Sequence, residues 1–564
     1  MARNPQLFTF VVIGGLALTI ACSSESAGPG PLPSCGAHGT QLSLAVAQYT
    51  SVDPASDSGC VTFAANTSPD TAEYLVLPWS TGGTPATSTP FVLQTATPLA
   101  GTIAPAFVSL PISQGSSPEG GPRGPNAVTF DHFLRESARA RRYTVPTRSI
   151  TAASVPAPPA PSPAGPPTVG SSRTFKVCSN RTCSTFANVG AVARAVGTHI
   201  AIYVDTLTPS PIDSATLSDL KQVFDSRLFP LDTATFGDVS DIDANSVVIV
   251  LMTGTVNHLT SKTDCSASGG GYIAGFFFTG DLDPAFATQF NNGEVFYSVV
   301  PDPNGTLSCA HTNADVVSLT PVIFTHEFQH MINFVQHVLV RSANSEEGWL
   351  DEGLSKYAEE LAGRSYLPDS QAAFSRYAFN AVADAYDYLV APGGSPLLIP
   401  VDSGSLAEVG ASWLFTRYIV DQFGVTLPGQ LAQSSLSGAA NVTAKTGQPF
   451  ATTVSNWAFA NWVSDLPGFT APAELRYTAW HFRTTYASLH AQDSIDFARA
   501  YPVVPTVRAG SLVNVSGTLW SGSGAYVRVV QKPGDPAFTL QFSGPAGASV
   551  SAAVLPRLNV LRIR

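Results

Sequence analysis

His326-Glu327-Phe328-Gln329-His330 is the stretch on which the reading of this 564-residue chain turns. It has the form H-E-x-x-H. Thr320 suits an N-cap and Pro321 the first helical position. Val322, Ile323, Phe324, Phe328, Met331, Ile332, Phe334 and Val335 then continue as an apolar run, so the segment reads as a buried helix. Residues four apart share a helix face. Both imidazoles therefore point the same way about one turn apart, as two ligands of one tetrahedral zinc must. Glu327 falls beside them, placed to take a proton from a water that the metal activates. The bland alternative is a chance match in a core helix. Histidine is rare here, 10 of 564 residues, which weighs against chance.

Zinc in a hydrolytic site takes three protein ligands and keeps one position open. Downstream, Trp349-Leu350-Asp351-Glu352-Gly353-Leu354-Ser355-Lys356-Tyr357-Ala358-Glu359-Glu360-Leu361 reads as a second amphipathic helix with Glu352 near its first turn. The spacing from His330 allows one helix, a turn and a packed return, which makes Glu352 the preferred third ligand. Read structurally instead, it is a first-turn glutamate favoured by the helix dipole. Glu346 and Glu347 are nearer in sequence, but they precede Gly348, before this helix is expected to begin.

HEFQHMINF followed by WLDEGLSKYAEEL resembles the gluzincin metallopeptidases, and among them the hyicolysin-like neutral metalloproteases. Segments 236–251 and 410–424 resemble the same group, and the likeness extends over roughly residues 173–470. The resemblance implies an α+β catalytic domain, a zinc cofactor and hydrolysis of peptide bonds. It agrees with His326, His330 and Glu352 as ligands and Glu327 as base. One position departs. In some gluzincins an acidic residue four after the glutamate ligand buttresses a zinc-binding histidine; this chain has Lys356 there, which leaves that work to Glu359 or another group. Hydrolysis usually needs a second donor for the oxyanion. Tyr357, Tyr377, Tyr386, Tyr388, Tyr418 and His481 are candidates, and Tyr418 is favoured because its segment resembles the family.

Composition sets the wider frame. Hydrophobic residues make up 44% of the chain, enough for substantial cores, and charged residues only 12%, as in many exported proteins. A net charge of −11 argues against nucleic acid or an anionic membrane surface as the main partner. Arg3 and the apolar stretch 7–21 read as a targeting segment, too short to span a bilayer comfortably. Ala21-Cys22 resembles a lipobox, so residues 1–22 are expected to be a signal peptide and Cys22 a lipid anchor, with plain secretion as the alternative. Residues 23–34 read as a tether. The six remaining cysteines favour disulfides in an exported chain, and neighbour pairing gives Cys35–Cys60, Cys178–Cys183 and Cys265–Cys309.

Residues 35–143 carry short β-like runs and read as a small β-sandwich that ends in a basic helix at 130–142. Within it, Arg141-Arg142 reads as a solvated charge cluster in preference to a processing site. Residues 144–172 are a Pro-rich linker. The catalytic region, 173–505, shows strands at 200–204, 247–252, 272–278 and 295–300, then helices from the H-E-x-x-H motif onward. Residues 506–564 alternate again and read as a C-terminal β domain. The fold class is therefore α+β, a metalloprotease domain flanked by small all-β domains. Asp241-x-Asp243-x-Asn245 resembles half a calcium loop, but it lacks the later loop residues and reads better as an Asx turn; calcium is a secondary cofactor possibility. Gly269-Gly270-Gly271 reads as a loop beside the cleft, and His337 as structural.

These features point to a zinc-dependent endopeptidase acting on proteins or peptides. Strand 272–278 or 295–300 is expected to align the substrate backbone by strand addition. The rival reading is a surface lipoprotein that binds protein or polysaccharide and keeps a vestigial metal centre. An intact Glu327 argues against it, since a purely structural zinc has no use for a base there.

Overall fold

Strands from the two ends of the chain interleave. The computed structural model describes residues 35, 39–55, 58–96, 106–107, 124–140, 165–266, 270–399 and 404–564. One layer of a β-sandwich runs, in hydrogen-bonded order, Thr40–Leu42, Cys60–Phe63, Phe538–Ser543, Ser88–Thr95, Asn514–Trp520 and Ala106–Phe107. The other runs Thr506–Ala509, Val527–Gln531, Ala72–Ser80, Pro556–Arg562 and Tyr49–Val52. The separate β domains expected at 35–143 and 506–564 are thus one unit. Ser88–Thr95 pairs with two C-terminal strands, and Ala72–Ser80 with two others. Either set alone would leave long unpaired edges, which mutual pairing removes.

Ala72–Ser80 is buried along its whole length because it has work on both faces. Tyr74 and Val76 enter the sandwich core, while Leu75, Leu77 and Trp79 pack into the core of the middle region. Tyr526 strengthens this junction, its hydroxyl donating to the Ala458 carbonyl at 2.7 Å.

The middle region begins with a six-stranded sheet in the order Gly275–Phe277, Val295–Ser298, Val248–Met252, Ile200–Asp205, Phe186–Val196, Ser172–Cys178. Val248–Met252 runs parallel to both neighbours and is buried throughout, as its unbroken apolar run requires. Gly275–Phe277 is an antiparallel edge strand. Residues 295–298 are interior, so of the two segments expected to align substrate it is 272–278 that lies at an edge.

Seven helices matter to the site: α1 (Pro125–Ala140), α2 (Ser214–Val223), α3 (Phe229–Phe236), α4 (Asn313–Phe334), α5 (Gly348–Arg364), α6 (Gln371–Val390) and α7 (Leu406–Phe423). Strands followed by helices give the α+β class read from the sequence. Helix α4 starts earlier than Thr320 and Pro321 suggest. Thr312 Oγ1 accepts the Asp315 N–H at 3.1 Å, and the Asp315 carboxylate accepts the Thr312 N–H at 2.9 Å, a reciprocal cap. Pro321 lies inside the helix, where its missing N–H removes one backbone bond.

The three bridges Cys35–Cys60, Cys178–Cys183 and Cys265–Cys309 form as neighbour pairing suggests. Among the described residues no helix is long and apolar enough to cross a membrane. The signal segment 1–22, the tether 23–34, Arg141-Arg142, most of the 144–172 linker and Gly269 lie outside the described residues.

Candidate metal centre

Helix α4 carries His326 and His330 one turn apart on the side that meets α5, and their Nε2 atoms converge to 3.2 Å. Near the start of α5, Glu352 places Oε2 3.5 Å from His326 Nε2 and Oε1 3.5 Å from His330 Nε2. A tetrahedral zinc with bonds of about 2.0–2.1 Å sets its ligands about 3.4 Å apart. The three donors stand at that spacing. Glu352 Oε1 is buried without a hydrogen-bond partner, a costly state for a carboxylate oxygen unless a cation completes it. The donor set and its geometry fit zinc.

Each histidine is held from behind. His326 Nδ1 lies 2.7 Å from Glu359 Oε1, and His330 Nδ1 lies 3.1 Å from Asp351 Oδ2 and 3.0 Å from Ser355 Oγ. A carboxylate on Nδ1 keeps the proton there and turns the Nε2 lone pair toward the centre. Glu359 thus does the buttressing that Lys356, at the departing position, does not. Lys356 Nζ instead lies 3.0 Å from Glu359 Oε1 and 3.9 Å from Asp384 Oδ2.

Glu327 is buried beside the pair, and its Oε2 accepts the Phe277 N–H from the edge strand at 2.9 Å. Burial, reinforced by the Asp131 carboxylate, lifts its pKa to about 7 against the opposing pull of the histidines and Arg135. Burial and Asp131 also act to raise Glu352, but the two histidines outweigh them and hold it at about 2, so it stays an anion.

Two functional residues escaped the sequence reading. Helix α1, expected as a basic helix, buries one face, with Phe130, Leu134 and Ala138 in the core. It carries Asp131 into the centre, with Oδ2 3.3 Å from His326 Nε2 and 3.8 Å from His330 Nε2. Asp131, His326, His330 and Glu352 each offer a ligand atom within 4.8 Å of the others. One turn on, Arg135 Nη2 donates to the Phe277 carbonyl at 2.9 Å and lies 3.8 Å from Glu327 Oε2. The available signal was an Asp–Arg pair at i, i+4 on the same side as an apolar i, i+4, i+8 stripe. A cavity of about 90 Å³ between α1, α4, α5 and α6 is lined by Asp131, Glu327, Glu352, Lys356, Glu359 and Asp384 among others.

Other candidates lie elsewhere. Tyr418 does not line this cavity; its hydroxyl donates to the Glu474 carbonyl at 2.7 Å and its ring meets Tyr477 edge-on. Its segment packs α7 against α5, and the structure does not bring it to the metal ligands. Tyr357, Tyr377, Tyr386, Tyr388 and His481 are likewise absent from the lining. Glu346 is bound by Asn441 and Glu347 by Trp349, away from the histidine pair. His337 is buried, with burial lowering its pKa to about 4. Asp241, Asp243 and Glu294 do converge. Asp241 Oδ1 accepts the N–H groups of Asn245 and Ser246, Asn245 Oδ1 accepts the Val247 N–H at 2.7 Å as an Asx turn leading into the strand, and the Arg173 guanidinium sits 3.5 Å from Asp243. Arg173 thus already supplies positive charge to this cluster.

No family model matches the chain. A stretch of 207 residues is 27% identical to the neutral metalloprotease ShpI of Staphylococcus hyicus, covering 36% of this chain and 42% of that protein. The chain therefore spans less than half the length of this relative. The similarity is distant and supports a metalloprotease relationship, in keeping with a metal site built from histidine and carboxylate.

Proposed function

We propose that this chain is a zinc-dependent endopeptidase of the gluzincin type, exported and then either secreted or held at the cell surface through Cys22. The observation that supports it most is the trio of His326, His330 and Glu352 at zinc-ligand spacing with Glu327 buried beside them. When bound, zinc supplies Lewis acidity, bringing the pKa of a water toward about 7 and polarising the carbonyl to be attacked.

The chain's own residues do the rest. Glu327 takes the water's proton and later returns it to the leaving amine. The Phe277 N–H fixes one of its oxygens, so the carboxylate does not swing away from the pair. Glu359 and Asp351 hold the two imidazoles in the tautomer that points Nε2 inward. Edge strand Gly275–Phe277, contiguous with this site, aligns an extended substrate backbone by strand addition. The substrates are thus proteins or peptides in extended form. A surface binding protein with a vestigial centre would leave Glu327, held by a backbone N–H beside the ligand pair, without a task.

The test is metal content together with hydrolysis of casein. Because the Asp131 carboxylate stands among the donors, the assay uses both the intact chain and its Asp131→Ala variant. About one zinc per chain is expected, with cleavage abolished by a chelator and restored by zinc. Cleavage that persists after verified metal removal would contradict the reading.

A further inference from the structure

A hydrolytic zinc keeps one coordination position for water, whereas four protein ligands close the site. Here four side chains converge, and the fourth comes from outside the sheet-and-helix region that holds the other three. Asp131 lies on α1, separated from strand Ser172–Cys178 by the Pro-rich stretch of sequence. Its Oδ2 stands 3.3 Å from His326 Nε2, the spacing that the true ligands show among themselves. On the same helix, Arg135 caps the Phe277 carbonyl at 2.9 Å, a group that an incoming substrate backbone would need. The same guanidinium lies 3.8 Å from the base Glu327. Phe130 packs edge-on against Phe276 of that strand with ring centroids 5.3 Å apart.

One helix thus touches each part of the proposed machinery: the metal position, the base and the substrate-aligning strand. A helix that served only packing would satisfy its apolar stripe and leave a carboxylate out of a buried site already rich in carboxylates. Asp131 is instead half-buried beside Glu352 and Glu327, where Arg135, 3.4 Å from Asp131 Oδ1 and 3.8 Å from Glu327 Oε2, is one positive charge facing three carboxylates, a state that a bound metal ion would relieve.

We propose that Asp131 is a fourth metal ligand and that α1 is an inhibitory helix, so that the enzyme is latent until α1 leaves the cleft. This rests on the zinc-peptidase reading above. Removal of α1 would free the position for water, the Phe277 carbonyl for substrate and Glu327 for proton transfer in one step. It is the helix, not a change of catalytic residues, that separates the closed site from the open one.

The experiment loads cobalt(II) into the full chain, wild type, Asp131→Ala and Asp131→Cys, and records both absorption spectra and hydrolysis of a fluorogenic peptide. Asp131→Cys replaces one anionic ligand with another, so a thiolate-to-cobalt charge-transfer band is expected in the near ultraviolet. Asp131→Ala is expected to change the visible cobalt spectrum and to raise hydrolysis at least about tenfold, because the competent population grows by the factor the lost ligand had withheld. Cobalt bound stoichiometrically, with no charge-transfer band in Asp131→Cys and a wild-type spectrum in Asp131→Ala, would overturn this proposal alone. Failure of the wild-type chain to bind cobalt at all would overturn the metal-site reading and this proposal with it. Should Asp131→Ala fail to fold, the band in Asp131→Cys decides.

Discussion

Glu359 Oε1 stands 2.7 Å from Nδ1 of His326, one helix reaching across to fix a ring on another. Lys356 Nζ, 3.0 Å from the same oxygen, keeps that carboxylate charged. Burial alone would raise the Glu359 pKa, but Lys356 and His326 outweigh it and lower it. Glu359→Gln keeps the shape and loses the charge. Zinc affinity should fall about 10- to 100-fold, the usual scale for losing such a partner. Competition with a chromogenic chelator measures it, and an unchanged affinity would show that His326 does not depend on Glu359.

Gly353 follows Glu352 on α5, where that helix meets α7. A Cβ there would lie 2.7 Å from the Ser412 carbonyl oxygen and would also strike Thr416 Oγ1. Gly353→Ala should therefore push α5 off α7, costing about 1–3 kcal/mol as overpacking does, and shift Glu352 with it. Thermal unfolding and zinc affinity should both drop. A variant as stable as wild type would mean that the helices have room the structure does not show.

Asp232 on α3 is fully buried and accepts one hydrogen bond, from Thr325 Oγ1 of α4 at 2.9 Å, while its Oδ1 has none. Burial raises its pKa well above the ordinary 3.8, with Thr325 opposing. The folded state therefore favours the protonated form. That contribution is complete below the unfolded value and is lost as pH rises through the folded one. Asp232→Asn fills the same space without titrating, so the melting temperature of the variant minus that of wild type should increase as pH rises above about 4. A flat difference would show that Asp232 is not held protonated.

The local part of this molecule was legible in its sequence. H-E-x-x-H needs only helical geometry to bring His326, Glu327 and His330 together, and the second helix carries Glu352 within reach. The three disulfides followed from neighbour pairing. What sequence could not show is long-range. The register of Val76 against Val527 joins positions 451 residues apart and leaves no local trace. Helix α1 read as basic because its arginines were counted; only the fold reveals that Arg135 turns inward. Thr320 and Pro321 misled about the start of α4 because the Thr312–Asp315 cap lies a further two turns upstream. Tyr418 was favoured through resemblance of its segment, and only the fold shows that its hydroxyl turns to the Glu474 carbonyl.

The most direct test of the central claim is the zinc affinity of Glu327→Gln and Glu352→Gln measured side by side. Neither change disturbs helix geometry greatly, yet one removes a base and the other an anionic ligand. Glu327→Gln should bind zinc about as tightly as wild type, and Glu352→Gln at least about tenfold more weakly, since a neutral amide oxygen is the poorer donor. Loss of zinc in Glu327→Gln, with wild-type affinity in Glu352→Gln, would contradict the account.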